Sequence, residues 1–133
     1  MTTPKASCPC GTKIPYLQCC GQYHFGNALP KTPEQLMRSR YSAFCKQNAD
    51  YLVATLHKSA RSHNERQQLT NSFSNIQWLG LSIISIDNSK IGEGIGYVEF
   101  IARFKHNTED EHHERSRFIF EKDRWYYIDG EVC

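Results

Sequence analysis

The stretch Tyr97-Val98-Glu99-Phe100-Ile101-Ala102-Arg103-Phe104 decides the fold class. Val98, Phe100, Ala102 and Phe104 alternate with Tyr97, Glu99, Ile101 and Arg103. Successive side chains of a strand point to opposite faces, so a period of two predicts a half-buried strand. Upstream, Trp78 to Ile86 is dense in β-branched and large apolar residues and runs into the turn cluster Asp87-Asn88-Ser89, which predicts another strand. Gly92, Gly94 and Gly96 form a flexible approach between the two. Downstream, the polar run Asn107 to His113 reads as a hairpin loop. It leads into a strand over Glu114 to Glu121 with Phe118 and Phe120 on one face, a turn at Lys122-Asp123, and a last strand from Arg124 to Asp129.

The half before Gln77 reads as helical. Thr32 suits an N-cap, Pro33 the first turn and Gln35 the partner position of a capping box. Met37, Tyr41 and Phe44, with Leu36 and Ala43 beside them, recur at helical spacing, so residues 33–47 predict an amphipathic helix. Asp50 is placed to cap a second helix through Tyr51, Leu52, Ala54 and Thr55 to His57, and residues 62–74 suit a third, more polar one ending near Phe73. Helices followed by strands predict an α+β domain in which the helices pack on one face of a curved antiparallel sheet. Tyr23 to Lys31, with Gly26, Asn27 and Pro30, reads as a short linker. The organisation is then a small N-terminal unit over 1–25 and one cored domain over 26–133.

The N-terminal unit holds Cys8, Cys10, Cys19 and Cys20 within CPCGTKIPYLQCCG. Four thiols this close can close a tetrahedral zinc site. The adjacent pair argues for metal over a disulfide, because neighbouring Cα atoms lie about 3.8 Å apart and ordinary disulfides begin near 4.4 Å. Closed coordination by four cysteines leaves no position for an activated water, so such a zinc is structural, and its loss is expected to unfold the first 25 residues while the larger domain survives on its own core. Cys45 falls on the apolar side of the first long helix and reads as core; Cys133 is the last residue.

Six cysteines, no charged-then-apolar leader and no apolar run of about 18 residues predict a cytoplasmic protein that keeps its thiols reduced. The formal charge of +2 falls to about zero once four thiolates hold a divalent ion, which argues against general attraction to nucleic acid. Trp125, Tyr126 and Tyr127 are better placed to complete a core than to stack bases. Charge is uneven: residues 1–66 carry nine Lys/Arg and three Asp/Glu, residues 67–133 seven and eleven.

The cysteine spacing, with Pro9, Gly11, Tyr16, Gln18 and Gly21, resembles the SEC-C motif, named for the zinc-binding tail of the secretion ATPase SecA; Lys13 stands where that motif usually has Gly. The element order is similar to the cone-shaped fold of nuclear transport factor 2, whose helices close the open side of a bent sheet. Over nearly its whole length the chain resembles the bacterial YchJ-like family, through EQLMRSRYSAF (Glu34 to Phe44), Ala49-Asp50-Tyr51-Leu52, Leu56-His57, Trp78-Leu79-Gly80-Leu81, Phe100 to Phe104, Glu114 to Phe118 and Trp125 to Gly130. Members commonly continue into a second SEC-C motif, whereas this sequence stops at Cys133. The resemblance implies a SEC-C knuckle joined to a pocketed, nuclear-transport-factor-2-like domain.

Two functions follow as expectations. The first is a non-enzymatic adaptor whose knuckle docks on a protein partner, as SecA's related tail contacts a chaperone and phospholipid surfaces. The second is isomerase- or dehydratase-like acid–base chemistry on a small molecule in the cone. Arg38, Arg40, Tyr41, His57, Trp78, Arg103, Arg117 and Tyr127 are the candidate pocket residues. His57 is the candidate base, with Asp50 or Glu99 as its orienting carboxylate. Arg38 and Arg40 diverge on a helix, while Arg115 and Arg117 share a strand face. Arg103 and Arg117 are candidate forks for a small anionic ligand, unless Glu34, Glu99 or Glu114 pair with these arginines. His106, His112 and His113 with Glu109, Asp110, Glu111 and Glu114 offer metal-ligand types without a discriminating spacing.

Overall fold

The computed structural model of the chain describes residues 7–133. Strands β1 (Gln77–Asp87), β2 (Ile95–His106), β3 (Thr108–Glu121) and β4 (Arg124–Val132) form one antiparallel sheet in the order β1-β2-β3-β4. Among the described residues four α-helices precede it: α1 (Cys20–His24), α2 (Pro33–Cys45), α3 (Ala49–Ala54) and α4 (Glu65–Ser72). The α+β architecture with a curved sheet is as the sequence predicts.

The curvature has a local origin. Trp78 pairs with Phe104, Leu81 with Ala102, Ile83 with Phe100 and Ile86 with Val98, so Leu79 and Ile84 are extra residues on β1. Both are turned outward, 37% and 50% exposed. Ile128 is a third extra residue, between the pairs Arg117–Asp129 and Phe118–Tyr127 of β3 and β4. Each such bulge bends its strand and adds twist. Three of them on the two outer strands cup the sheet.

α2 lies in that cup. Thr32 caps it by accepting from the Gln35 amide at 3.1 Å, and the Gln35 side chain accepts from the Lys31 amide at 2.7 Å. Leu36, Met37 and Tyr41 of α2 then pack against Val98, Phe100, Ala102, Phe118 and Trp125, with Cys45 at the edge of this core. Pro33 sits so close to Gly96 that a Cβ there would overlap its ring. Trp125 Nε1 donates to the Lys31 carbonyl at 3.2 Å, tying the segment before α2 to β4.

Several boundaries differ from expectation. Asn107 to His113 is not a loop: pairing continues to His106 opposite Thr108, with Asn107 alone turning the chain at φ 68°. Asn tolerates this left-handed conformation, and the cross-strand pairs Arg103–Glu111 and Lys105–Glu109 hold an arm whose polarity resembles a loop because its tip is solvated. Asn48 rather than Asp50 caps α3, its side chain accepting from the Tyr51 amide at 3.1 Å, while Asp50 pairs with Arg66 at 2.7 Å. Tyr23 and His24 belong to α1, so the expected linker begins in a helix.

Candidate functional site

The knuckle is built from tight turns. The Cys8 amide donates to the Ile14 carbonyl at 2.7 Å and the Gly11 amide to the Cys8 carbonyl at 3.2 Å, with Gly11 at φ 91° and Lys13 at φ 67°. A Cβ on Gly21 would lie 2.7 Å from the Tyr16 carbonyl oxygen, so only glycine lets α1 follow the second cysteine pair. Cys8, Cys10 and Cys20 are 3%, 0% and 1% exposed, and Cys19 is half-buried. Their four sulfurs lie within 4.8 Å of one another, and Cys10 Sγ and Cys19 Sγ are 3.6 Å apart. Four sulfurs about 2.3 Å from a tetrahedral centre stand roughly 3.8 Å from each other. The cysteines are all free thiols.

Electrostatics point the same way. Cys8 is held well below the ordinary thiol value because Cys10 and Cys20 bond to its sulfur; Cys20 is raised by its bonds with Cys10 and Cys8, and burial pushes Cys19 up to about 11. Four adjacent sulfurs, three of them buried, cannot all carry charge unaided, and a cation at their centre removes the conflict. Geometry, burial and donor type fit a metal site.

The knuckle is seated firmly on α2. Arg38 Nη1 donates to the Cys10 carbonyl at 2.7 Å, and Ser42 Oγ lies 3.3 Å from Cys8 Sγ. His24 Nε2 donates to the Ser39 carbonyl at 2.8 Å, and its Nδ1 accepts from Tyr16 Oη at 2.5 Å. The His24 ring also packs on Tyr51 at 4.6 Å, and Lys46 Nζ stands 4.5 Å over the Tyr16 ring. Ser39 and Ser42 are fully buried, small enough for the knuckle to approach the helix.

The opposite face of α2 looks into the cone. Met37, Arg40, Tyr41 and Phe44, at three-and-four spacing, line a cavity of about 350 Å³ together with Ile76, Trp78, Phe100, Ala102, Phe104, His112, Glu114, Ser116 and Tyr127. Arg40 is 8% exposed; its Nη1 donates to the Leu52 carbonyl at 2.8 Å and to Thr55 Oγ1 at 2.7 Å, and its Cζ stands 4.9 Å over the Tyr127 ring. Burial pushes the Arg40 guanidinium down to about 10, still charged at neutral pH. The end of α3 is fastened to β4 by the His57 amide on the Tyr127 carbonyl at 2.8 Å and the Tyr127 amide on the Thr55 carbonyl at 2.9 Å.

Of the eight candidate pocket residues, Arg40, Tyr41, Trp78 and Tyr127 line the cone. The other four lie elsewhere. Arg38 diverges from Arg40 on the helix and reaches Glu34 at 2.8 Å as well as the knuckle. Arg103 and Arg117 fall on the outward phase of their strands: Arg103 lies against Gly80, and Arg117 pairs with Asp129 at 2.6 Å. His57 accepts from the Ser59 amide at 3.2 Å and meets Glu121, not Asp50 or Glu99, at 3.1 Å.

The cone's polar end joins Tyr127 to three residues not singled out for it, His112, Glu114 and Ser116. His112 Nε2 donates to Glu114 Oε1 at 2.9 Å, and Glu114 Oε2 accepts from Tyr127 Oη at 2.9 Å and from Ser116 Oγ. A Cβ on Gly130 would overlap the Glu114 carboxylate, so the glycine leaves its space. The signal lay in the even phase of Phe118 and Phe120, which, continued backwards, puts Ser116, Glu114 and His112 on the inner face. His113 falls on the outer phase and donates to Glu99 at 2.7 Å. The His and carboxylate run is thereby divided between two faces.

A buried four-thiol knuckle seated on a cone-shaped α+β domain defines a SEC-C protein with a nuclear-transport-factor-2-like domain. Residues 32–130 match the family model described as YchJ, middle NTF2-like domain. The chain belongs to the YchJ family. It is 45% identical over 126 residues to a UPF0225 protein of Serratia proteamaculans, covering 92% of this chain and 81% of that one. A UPF0225 protein of Enterobacter sp. is 44% identical over 124 residues, with 92% and 81% covered. The solution structure of RPA3114, a SEC-C motif containing protein from Rhodopseudomonas palustris, superposes with a TM-score of 0.86 at 33% identity over 96% of this chain and 99% of that one. The crystal structure of a SEC-C motif containing protein from Psychrobacter arcticus gives 0.78 at 28% identity, over 96% and 82%. Among the described residues no helix is long and apolar enough to cross a membrane.

Proposed function

We propose that this protein is a cytoplasmic adaptor whose knuckle binds one structural zinc ion through Cys8, Cys10, Cys19 and Cys20 and presents a rigid apolar surface to a protein partner. The observation that carries this reading is the contrast between the two sides of the knuckle. Three of its sulfurs are sealed from solvent, whereas Leu17 and Phe25 are 62% and 66% exposed and Ile14 and Leu29 are also outward. Four thiolates satisfy zinc completely, so the ion supplies rigidity and no reactive position. The segment 7–31 contains Lys13 and Lys31 and no Asp or Glu, which favours a partner with an apolar pocket rimmed by carboxylates.

The test is crosslinking in cells that express the full chain, comparing wild type with Leu17→Asp and Phe25→Asp. Both variants should retain one zinc per chain and lose a partner crosslinked through the knuckle. Zinc-loaded variants with an unchanged set of crosslinked proteins overturn the adaptor reading.

A second reading, acid–base chemistry in the cone, is favoured by His112 and Glu114, held 2.9 Å apart at the wall of a cavity. A histidine oriented by a carboxylate that two hydroxyls fix in turn has the form of a general base. Turnover of a cone-sized substrate that His112→Gln abolishes would select this reading.

A further inference from the structure

Arg40 is the unspent group of the cone. Its Nη1 is committed to the Leu52 carbonyl and Thr55 Oγ1, while Nε and Nη2 have no acceptor among the described residues. Among those residues no buried side-chain nitrogen or oxygen lacks a partner, so these two nitrogens border open space, and the space beside Arg40 is the cone. The carboxylate of Glu114 is taken up by His112, Ser116 and Tyr127. The guanidinium therefore has a ring beneath it, two oxygen acceptors at one end and no bonded counterion, an arrangement costly for a buried charge.

We propose that the cone binds a small aromatic carboxylate, with the acid group on the Nε and Nη2 edge of Arg40. That edge of a guanidinium offers two parallel N–H donors, the fork that matches a carboxylate. One guanidinium edge matches one carboxylate, and with the Glu114 carboxylate already in the same cavity the second charge of a phosphate dianion is the harder one to place. Away from this polar end the walls are Tyr41, Phe44, Trp78, Phe100 and Phe104, and the Tyr41–Trp78 and Trp78–Phe104 ring pairs are 5.8 and 5.6 Å apart. Such walls favour an aromatic ring over an extended polar chain. A volume of about 350 Å³ admits one small molecule. This inference stands apart from the adaptor reading, since it concerns the opposite face of α2.

The experiment titrates the intact, metal-loaded chain with phenylacetate and 3-phenylpropanoate, and in parallel with phenylacetamide and 3-phenylpropanamide, following Trp78 fluorescence. Trp78→Phe assigns the signal, because Trp125, the other tryptophan, does not line the cavity and is tied to the Lys31 carbonyl. We expect saturable quenching by at least one acid, with its amide roughly ten- to hundredfold weaker, the worth of a charge-assisted hydrogen bond. Arg40→Gln should bring acid and amide to equal affinity. The wild-type comparison decides the matter even if that variant fails to fold. Equal binding of acid and amide, no saturable binding of either acid at millimolar concentration, or displacement of bound acid by equimolar inorganic phosphate overturns the proposal.

Discussion

Lys13 stands at φ 67°, in the left-handed region that costs a side-chain-bearing residue about 1–2 kcal/mol. This is the position at which SEC-C motifs usually carry glycine, so the departure visible in the sequence has a physical size. Lys13→Gly should stabilise the metal-loaded knuckle by about 0.5–1 kcal/mol, after the added freedom of the unfolded glycine is subtracted. Thermal denaturation checks it, and a lowered Tm would contradict the strain argument. His24 makes a second prediction. Burial pushes its imidazole below the ordinary value near 6.5, and its neutral form is fully used, donating from Nε2 and accepting at Nδ1. Between the folded value and about 6.5 the unfolded chain binds more protons than the folded one, so stability is full above that window and is lost as pH falls through it. His24→Gln should flatten the pH dependence of Tm there; an unchanged slope would assign it to another group.

At the scale of elements, β1 shows what a strand reading misses. Its core-packed residues Trp78, Leu81 and Ile83 break the period of two at the Leu79 bulge, and the second bulge at Ile84 shifts the phase again, so that Ile86 pairs with Val98 at the sheet's exposed end. Leu79→Ser should therefore change stability by no more than about 0.5 kcal/mol, whereas Leu81→Ser should cost more than about 2 kcal/mol. Urea denaturation separates the two, and equal costs would refute the assigned phase. The existence of the strands and of α2 was legible, since alternation, helical spacing and the Thr32 cap are all local signals. The extended β2–β3 arm was not, because solvated charges look alike on a hairpin and in a loop. Nor was the cone's polar end, whose His112 and Glu114 meet Tyr127 only through pairing of β3 and β4. The cysteine quartet was readable because its geometry is set within fourteen residues, CPCGTKIPYLQCCG. The docking of the knuckle was hidden, for it depends on His24, Ser39 and Ser42, residues without a pattern of their own.

For the molecule as a whole, metal removal tests how far the knuckle and the larger domain are one body. Arg38, Ser39 and Ser42 join them through α2, and loss of the knuckle uncovers buried surface on that helix. A chelator should lower the Tm of the remaining domain by about 5 °C or more while leaving its strand circular dichroism in place. An unaltered Tm would mean that the two units fold independently.

α2 carries Ser42 against the sulfurs on one flank and Arg40 against the cone on the other, two residues apart in sequence. Were a shift of that helix felt in both places, an ion held on one side and an acid held on the other would be coupled by reciprocity. If chelation weakens phenylacetate by some factor, phenylacetate must tighten the ion by the same factor. The protein would then report small-molecule supply through the firmness of its metal grip.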